Sequence, residues 1–520
     1  MRSGATVFDP PAACSAAARW RPWRAAALAA GLTAAALLAP AAAQPASGTT
    51  PCRIKGIEQE VRCGSVSVPE DPDAAGGRRI DIHFAVVPAQ ARIKEPDPLF
   101  VLAGGPGQAA TAIAAQMQSL LGRVNARRDI VYIDQRGTGR SNPLHCDAPA
   151  GAQRLTDLAD LRGAINRLAD CVRATEARAD TRQYATWIAA RDFDAVRAQL
   201  GAERINLWGG SYGTRAAVEY LRQFPARVRS VVIDGVAPAT MALPASFAVD
   251  ADASLRALLA GCQAEPGCAR AYPSLESDLD QLLQRAERGT RIRARDPLTA
   301  AEHDLVLDRD LLGGLLRAPL YSPMLASAMP YALTRAAAGD ANPLLTLALA
   351  LGGAGPDDFA ELMHFAVICA EDMPHVDSRA RAAAAATRFG DGAIGLYEQA
   401  CRKVPVRAVP DAFYGPPIAD VPVLVLSGGL DPVTPPRHGN EIARSLPRVL
   451  HLTAPQLGHG ISAHGCAPDL IGRFIRQAAG AGRAPFAGIE DGKDAGCLAR
   501  LPAAMAFQPP SGGPRAGASR

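Results

Sequence analysis

The sequence predicts an α/β domain with a mostly parallel sheet, helices on both faces and an inserted helical cap. Short, nearly continuous apolar runs alternate with amphipathic stretches before residue 240, a pattern typical of buried parallel strands joined by helices. From about 240 to 414 the chain is Leu- and Ala-rich with helical periodicity. Strand-like runs return at Val421 to Leu426 and Val449 to Leu452. One interrupted sheet therefore explains the order more simply than two tandem domains.

The first strands are expected at Gly64 to Val68 and Ile80 to Val87, as a leading hairpin. The elements that follow are a strand at Pro98 to Ala103, a helix to about Arg123, a strand at Asp129 to Asp134, a helix at Asp192 to Leu200, a strand at Ile205 to Trp208, a helix at Thr214 to Gln223 and a strand at Val228 to Asp234. We therefore assign 44–239 to the first part of the core, 240–414 to the cap and 415–500 to the second part. Residues 501–520 are rich in Pro and Gly and are expected to be a disordered tail.

Residues 1–43 are expected to be a signal peptide. Three arginines precede an uncharged run from Ala25 to Leu38, and Ala41-Ala42-Ala43 then matches a cleavage signal. A membrane anchor is the alternative, but the run is shorter than the roughly 20 residues of a spanning helix. We therefore expect an exported protein, secreted or periplasmic, with no stable membrane insertion after cleavage.

Removal of this segment takes away four arginines and one aspartate, and the formal charge falls from +4 to +1. A nearly neutral chain gives no electrostatic reason to expect nucleic acid or anionic lipid as a partner. Its 520 residues, 48% of them hydrophobic, suffice for a large core and an insertion.

Of 11 cysteines, Cys14 leaves with the signal and ten remain. An even number in an exported chain favours disulfides, and the simplest connectivity pairs sequence neighbours, although sequence alone does not choose. The ten are Cys52, Cys63, Cys146, Cys171, Cys262, Cys268, Cys369, Cys401, Cys466 and Cys497. A metal site is disfavoured because no C-x-x-C pair or clustered histidine accompanies them.

Ser211 is the candidate nucleophile, within Gly209-Gly210-Ser211-Tyr212-Gly213. This G-x-S-x-G pattern follows a predicted strand and precedes a predicted helix. A nucleophile elbow needs that context, because flanking glycines let strand and helix approach closely. The alternative is a purely structural turn.

A serine hydroxyl needs a base, so a carboxylate and a histidine should follow in that order. His459, in the loop after the last predicted core strand, is the candidate base. His451, within that strand, and His464 are expected to be packed or solvent-facing, with His464 as the reserve candidate. Asp431 follows the preceding strand and is the candidate carboxylate. An Asp before Pro is also a common turn residue.

An oxyanion formed at the substrate carbonyl needs two backbone donors. The amide of Tyr212 is one candidate. The glycine-rich loop Gly104-Gly105-Pro106-Gly107 supplies the other, and we favour the amide of Gly105 over that of Gly104.

These motifs together resemble the family of secreted tripeptidyl aminopeptidases and prolyl aminopeptidases. The resemblance spans nearly the whole chain after the signal and includes Ala103-Gly104-Gly105-Pro106-Gly107, Asp134-Gln135-Arg136-Gly137-Thr138-Gly139-Arg140-Ser141, Gly210-Ser211-Tyr212-Gly213, Asp431-Pro432-Val433-Thr434-Pro435 and Gly458-His459-Gly460. It implies the α/β-hydrolase fold. One position departs from the family, because Ala103 stands where its loop usually begins with His, so the anchoring of this loop is expected to differ.

The resemblance implies a serine aminopeptidase that hydrolyses amide bonds near a free N-terminus of a peptide, through an acyl-enzyme and without metal or organic cofactor. A cationic amine calls for acidic groups in the cap. Glu371 and Asp372 are the candidates, with a solvated surface pair as the alternative. Arg136 is expected to fix the loop beneath the site rather than touch substrate.

Two other functions remain open. The same triad would serve a secreted carboxylesterase or lipase, because fold and triad do not distinguish ester from amide. A catalytically inactive binding protein would predict a gap in the triad, and the sequence has none. Haloalkane or epoxide hydrolysis is disfavoured because the elbow carries Ser rather than Asp.

Overall fold

The sheet that organises the chain is built from strands whose side chains are mostly buried. The structure is a computed structural model and describes residues 48–74, 76–146, 155, 161–297, 299–350, 359–478, 484–489, 495–504 and 506. The strands of this sheet are β1 Thr49–Cys52, β2 Val61–Pro69, β3 Arg79–Val87, β4 Leu99–Leu102, β5 Ile130–Ile133, β6 Ile205–Gly210, β7 Val228–Asp234, β10 Val423–Gly428 and β11 Val449–Ala454. Two more, β8 Thr290–Arg295 and β9 Glu302–Leu307, pair separately.

The spatial order of the large sheet is β1-β2-β3-β5-β4-β6-β7-β10-β11. Pairing is antiparallel from β1 to β5 and parallel from β5 through β11. Side chains of β4 and β10 are buried throughout, as expected of strands covered on both faces. The predicted α/β fold class and all the predicted strands are confirmed, and β1 was not predicted from its polar sequence.

The helices are Ala114–Asn125, Leu161–Thr175, Thr186–Gln199, Tyr212–Gln223, Ala245–Ala264, Pro266–Ala271, Leu275–Glu287, Arg309–Leu320, Pro323–Ser327, Met329–Ala337, Asn342–Ala350, Glu361–Glu371, Ser378–Ala385, Gly392–Cys401, Pro436–Ser445, Ala467–Ala478 and Ala495–Ala499. Alternate strand residues face two cores: Leu207 packs with helix Tyr212–Gln223, and Trp208 with helix Ala467–Ala478. The period of two along a strand produces this division.

The segment between β7 and β10 is mostly helical and has its own hydrophobic core, which includes Leu255, Leu312, Leu315 and Leu333. It also contains the β8–β9 hairpin, which was not predicted from the sequence. Arginines alternate with other residues in β8, and β9 begins with three polar residues, so the hairpin lacks the continuous apolar run of a core strand.

Five disulfides join the ten cysteines in the described part of the chain: Cys52–Cys63, Cys146–Cys171, Cys262–Cys268, Cys369–Cys401 and Cys466–Cys497. The predicted pairing of sequence neighbours is thereby confirmed.

None of the helices described here is both long and apolar enough to cross a membrane. The predicted signal peptide, 1–43, lies outside the described residues, as do residues 507–520 of the predicted tail.

Arg136 holds the loop after β5 against neighbouring segments of the chain. Its guanidinium is 1% exposed and forms two hydrogen bonds to the carboxylate of Asp192, at 2.6 and 2.7 Å. It also donates to the carbonyls of Glu70 and Gln183, at 2.7 and 2.8 Å. The expectation that Arg136 fixes this loop is confirmed.

Arg136→Leu should destabilise the protein by about 3–5 kcal/mol, because it leaves the buried carboxylate of Asp192 without a partner. The measurement is the urea unfolding midpoint under non-reducing conditions. Arg182→Leu is the control, because this ion pair with Asp180 is exposed and its removal should leave the midpoint nearly unchanged. Equal midpoints for the two variants would contradict the buried role.

Candidate active site

Ser211 lies in a strained turn between β6 and helix Tyr212–Gln223. Its φ is 55° and its ψ is −125°, in a region that non-glycine residues rarely adopt. Its amide donates to the carbonyl of Asp234 at 2.9 Å, which fixes the turn to the end of β7. A Cβ atom at Gly213 would clash with the backbone of β4, so the elbow requires glycine there. The structure thus has the strand-turn-helix context that the sequence predicted.

His459 and Asp431 are brought together although 28 residues separate them. The Nδ1 of His459 donates to Oδ2 of Asp431 at 2.8 Å. The carboxylate also accepts from the amides of Val433 and Thr434, at 2.9 and 2.8 Å, and from the Thr434 hydroxyl at 2.8 Å. Asp431 is therefore held in place as an acceptor that orients the imidazole of His459. It binds Nδ1 of the ring and does not bind Nε2.

Burial and charge oppose each other at this pair. Burial alone would lower the pKa of His459, but the charge and hydrogen bond of Asp431 outweigh it, so the pKa is raised above 6.5. Burial alone would raise the pKa of Asp431, and the charge of His459 lowers it instead. Both shifts favour an imidazolium beside a carboxylate, which is the state that a general base reaches after accepting a proton.

Asp234, at the end of β7, holds the histidine loop as well as the nucleophile. Its buried carboxylate accepts from the amides of Ile461 at 3.0 Å and Ser462 at 2.7 Å. The hydroxyl of Ser462 also accepts from the indole of Trp208 at 3.2 Å. This role of Asp234 was not predicted from the sequence, although an aspartate at the carboxyl end of a core strand is a usable signal.

The loop Gly104-Gly105-Pro106-Gly107 lies against Ser211. A Cβ atom at Gly104 would lie 3.2 Å from Cβ of Ser211, and Gly105 has a φ of +106°. Both glycines line the same cavity as Ser211 and His459. The structure therefore places the predicted oxyanion loop beside the candidate nucleophile.

His364 anchors this loop from the cap, and sequence reasoning missed it. Its Nδ1 lies 3.1 Å from the carbonyl of Pro106 and its Nε2 lies 3.0 Å from the hydroxyl of Tyr397. A carbonyl only accepts, so Nδ1 carries the proton and Nε2 accepts from Tyr397. Burial lowers the pKa of His364 to about 4, so the ring is neutral at neutral pH. The amide of Ala360 adds a bond of 2.9 Å to the carbonyl of Gly107.

A cavity of about 1040 Å³ opens above these groups, between core and cap. Its wall includes Ser211, His459, Phe247, Tyr321 and Phe365. A recess of about 40 Å³ adjoins Ser211 and is lined largely by apolar residues: Met241, Leu243, Phe247, Ile368 and Val433. His451 and His464 do not line this cavity. His451 is packed as expected, with its ring nitrogens 2.9 Å from Ser427 and Asn440.

Glu371 and Asp372 do not line the cavity, which corrects the expectation that they bind a substrate amine. Both are fully buried, so they are not a solvated surface pair either. The guanidinium of Arg215 binds them at 3.1 Å and 2.7 Å, and the amide of Thr186 donates to Glu371 at 2.6 Å. The single guanidinium of Arg215, on helix Tyr212–Gln223, thus pairs with two buried carboxylates.

This buried group continues to the residue after the nucleophile. The hydroxyl of Tyr212 lies 2.8 Å from Nε2 of Gln135 and 2.5 Å from Oγ1 of Thr186, and Thr186 donates to Glu371 at 3.0 Å. Burial raises the pKa of Glu371 to about 7, although Arg215 opposes the shift. Glu371 therefore contributes, through Thr186, to the position of Tyr212.

Comparison with known proteins agrees with this geometry. A family model for the α/β hydrolase fold matches residues 97–261, and a model for TAP-like proteins matches residues 387–482. The chain belongs to the α/β-hydrolase family. The first match contains the elbow and the oxyanion loop of this hydrolase, and the second contains Asp431 and His459.

The relatives of this hydrolase carry different activities in their names. Serine protease Hip1 of Mycobacterium tuberculosis is 27% identical over 76% of this chain and 82% of its own. Carboxylesterase B of the same species is 29% identical over 74% of this chain and 78% of its own. A tripeptidyl aminopeptidase of Streptomyces coelicolor is 28% identical over 35% of this chain and 36% of its own. These similarities support a hydrolase of this fold. They do not distinguish ester substrates from peptide substrates.

The ring of His459 should titrate above pH 6.5, and Asp431→Asn should lower its pKa, because burial is then opposed only by the charge of Asp234. The measurement is an NMR titration with isotopically labelled histidine. His451 is the internal control, since burial lowers its pKa and Asp431 does not contact it. An unchanged His459 pKa in the variant would rule out the coupling.

Proposed function

We propose that this hydrolase is an exported serine peptidase that releases one or a few residues from the N-terminus of peptides. The observation that carries the proposal is the convergence of Ser211, the His459–Asp431 pair and the loop at Gly105 on one cavity. The TAP-like match and the two peptidase relatives support peptides as substrates. A cavity of about 1040 Å³ would hold a short peptide segment rather than a folded protein.

In the proposed mechanism the hydroxyl oxygen of Ser211 attacks the substrate carbonyl while Nε2 of His459 takes its proton. Asp431 keeps Nδ1 protonated and stabilises the imidazolium. His459 then gives the proton to the leaving amine, and the C–N bond breaks to leave an acyl-enzyme. Water, deprotonated by His459, releases the acyl group and restores the serine.

The negative charge of the tetrahedral intermediate would be held by the amides of Tyr212 and Gly105. Such donors act because they are fixed before the charge forms, and loss of one typically lowers turnover by roughly 10² to 10³. The bonds to Tyr212 from beneath and to Pro106 from the cap support this arrangement, because they limit movement of both donors.

Export is supported by the five disulfides, since disulfides form and persist in oxidising compartments. The predicted signal peptide agrees with this, and both support the proposal that the enzyme acts in the periplasm or the medium.

A secreted carboxylesterase is the second candidate, and the similarity to Carboxylesterase B favours it specifically. The proposed triad could attack an ester as well as an amide, so it does not decide between the two. Substrate comparison separates the two. We expect turnover of aminoacyl or tripeptidyl arylamides, with products that mass spectrometry identifies as N-terminal fragments of a mixed peptide pool. Turnover of acetyl and butyryl esters with none of any free-amine peptide would refute the peptidase.

Ser211→Ala should abolish covalent labelling by a fluorophosphonate and lower kcat on the order of 10⁶-fold. Ser277→Ala is the matched control, because Ser277 is exposed on the cap helix Leu275–Glu287. Retained labelling in the Ser211 variant would place the nucleophile elsewhere. A wild-type protein that takes up no label would support an inactive binding protein instead.

His364→Leu should lower kcat by about 10- to 100-fold with a smaller change in KM, because a donor displaced by 1 Å can reduce the rate that much. Tyr397→Phe keeps the bond from His364 to Pro106 and should have the weaker effect. Thermal unfolding of both variants checks their folding. If KM rises and kcat stays constant, His364 contributes to substrate binding instead of loop position.

A further inference from the structure

Arg317 places a positive charge in the wall of the cavity that contains Ser211. It lies in the last turn of helix Arg309–Leu320, with its guanidinium carbon 4.7 Å from the ring centre of Phe247. Phe247 and Tyr321 line this cavity with it. Tyr321, four residues further on, packs its ring against that of His459 with centres 5.1 Å apart. Arg317 therefore belongs to the same wall as the residue that covers the candidate base.

No carboxylate among the described residues forms an ion pair with Arg317. The more deeply buried arginines differ, since Arg136 is paired with Asp192 and Arg215 with both Glu371 and Asp372. A partly buried guanidinium is poorly solvated, and stacking on an aromatic face stabilises its plane without neutralising its charge. The charge is therefore available to a ligand in the cavity.

The field of Arg317 reaches the groups beside the candidate catalytic residues. Burial is the main cause of the low pKa of His364, and the charge of Arg317 lowers it further. Burial raises the pKa of Tyr321 and Arg317 opposes that shift. An anion in the cavity would therefore experience the positive potential of Arg317, next to the neutral side chains of His364 and Tyr321.

The other charged side chains of the cavity wall do not reverse the sign of this potential. Two more arginines, Arg167 and Arg178, accompany two acids, Asp170 and Glu361. Asp170 forms an exposed ion pair with Arg173, and Glu361 accepts from the amide of Cys146 at 3.4 Å. The described wall thus carries an excess of positive charge.

We propose that Arg317 binds a carboxylate of the substrate, so that the hydrolase selects substrates with this group near the scissile bond. In a peptide the carboxylate comes from an Asp or Glu side chain or from a free C-terminus. A guanidinium binds a carboxylate through two parallel hydrogen bonds, and the stacking on Phe247 orients its plane in advance. That the substrates are peptides rests on the proposed function, whereas the binding of a carboxylate by Arg317 does not.

The test compares kcat/KM for matched substrates in the wild type, Arg317→Met and Arg317→Lys. Peptides carry Glu or Gln at each position around the bond, and each is made with a free or an amidated C-terminus. A third pair consists of p-nitrophenyl hemisuccinate and p-nitrophenyl butyrate. The Arg309→Met control removes a charge from the other end of the same helix, where Arg309 pairs with Glu287.

We expect the wild type to prefer the carboxylate of at least one peptide pair, and the ester that carries one, by about 10- to 100-fold. Arg317→Met should bring these ratios close to one, Arg317→Lys should keep part of them, and Arg309→Met should keep all. The peptide series shows whether the side chain or the C-terminus supplies the group.

Ratios near one in the wild type, or ratios that persist in Arg317→Met, would overturn the proposal for Arg317. A different outcome would be that no peptide is cleaved while the hemisuccinate is preferred in a Ser211-dependent reaction. That result would refute the peptidase but would still support the carboxylate site at Arg317. Thermal unfolding confirms that each variant is folded.

Discussion

The arrangement of the site depends on Asp234, because this residue binds two loops that approach from different parts of the chain. Its carbonyl accepts from the amide of Ser211, and its carboxylate accepts from the loop that follows His459. Burial raises the pKa of Asp234, and hydrogen bonds from Ile461 and Ser462 oppose this by favouring the charged form. The parallel register sets up both contacts, since Asp234 is paired with Gly210 of β6 on one side and with Leu426 of β10 on the other.

Core and cap contribute different residues to the site. Core strands end at the elbow and at the loops of Asp431 and His459, so the positions of these residues follow from the sheet. The cap contributes His364, which binds the Pro106 carbonyl of the oxyanion loop, and Tyr321, which packs against the His459 ring. It also supplies Phe247 and Arg317, which give the cavity its shape and charge. The same core could therefore act on different substrates when the cap changes.

The sequence predicted the elbow and all strands of the large sheet except β1, because these depend on local pattern and chain order. The pairing of neighbouring cysteines was only the simplest of the connectivities that it allowed. Glu371 and Asp372 could not be placed, because their partner Arg215 is 156 and 157 residues away and only folding decides whether the charges are exposed or paired. His364 gave no signal either, since it lies within an apolar helix and acts on a loop 258 residues earlier. The β8–β9 hairpin was missed because β8 and the first half of β9 are mostly polar.

The disulfide Cys369–Cys401 has a consequence for how this protein can change over evolution. It joins helix Glu361–Glu371, which contains His364, to helix Gly392–Cys401, which contains Tyr397. The two helices that form the bond between His364 and Tyr397 are thus fixed covalently to each other, whatever the sequence between them. Insertions and substitutions between residues 376 and 391, beyond the buried Asp372, can accumulate without separating these side chains. Selection can therefore remodel the outer surface of the cap while the support of the oxyanion loop is inherited unchanged.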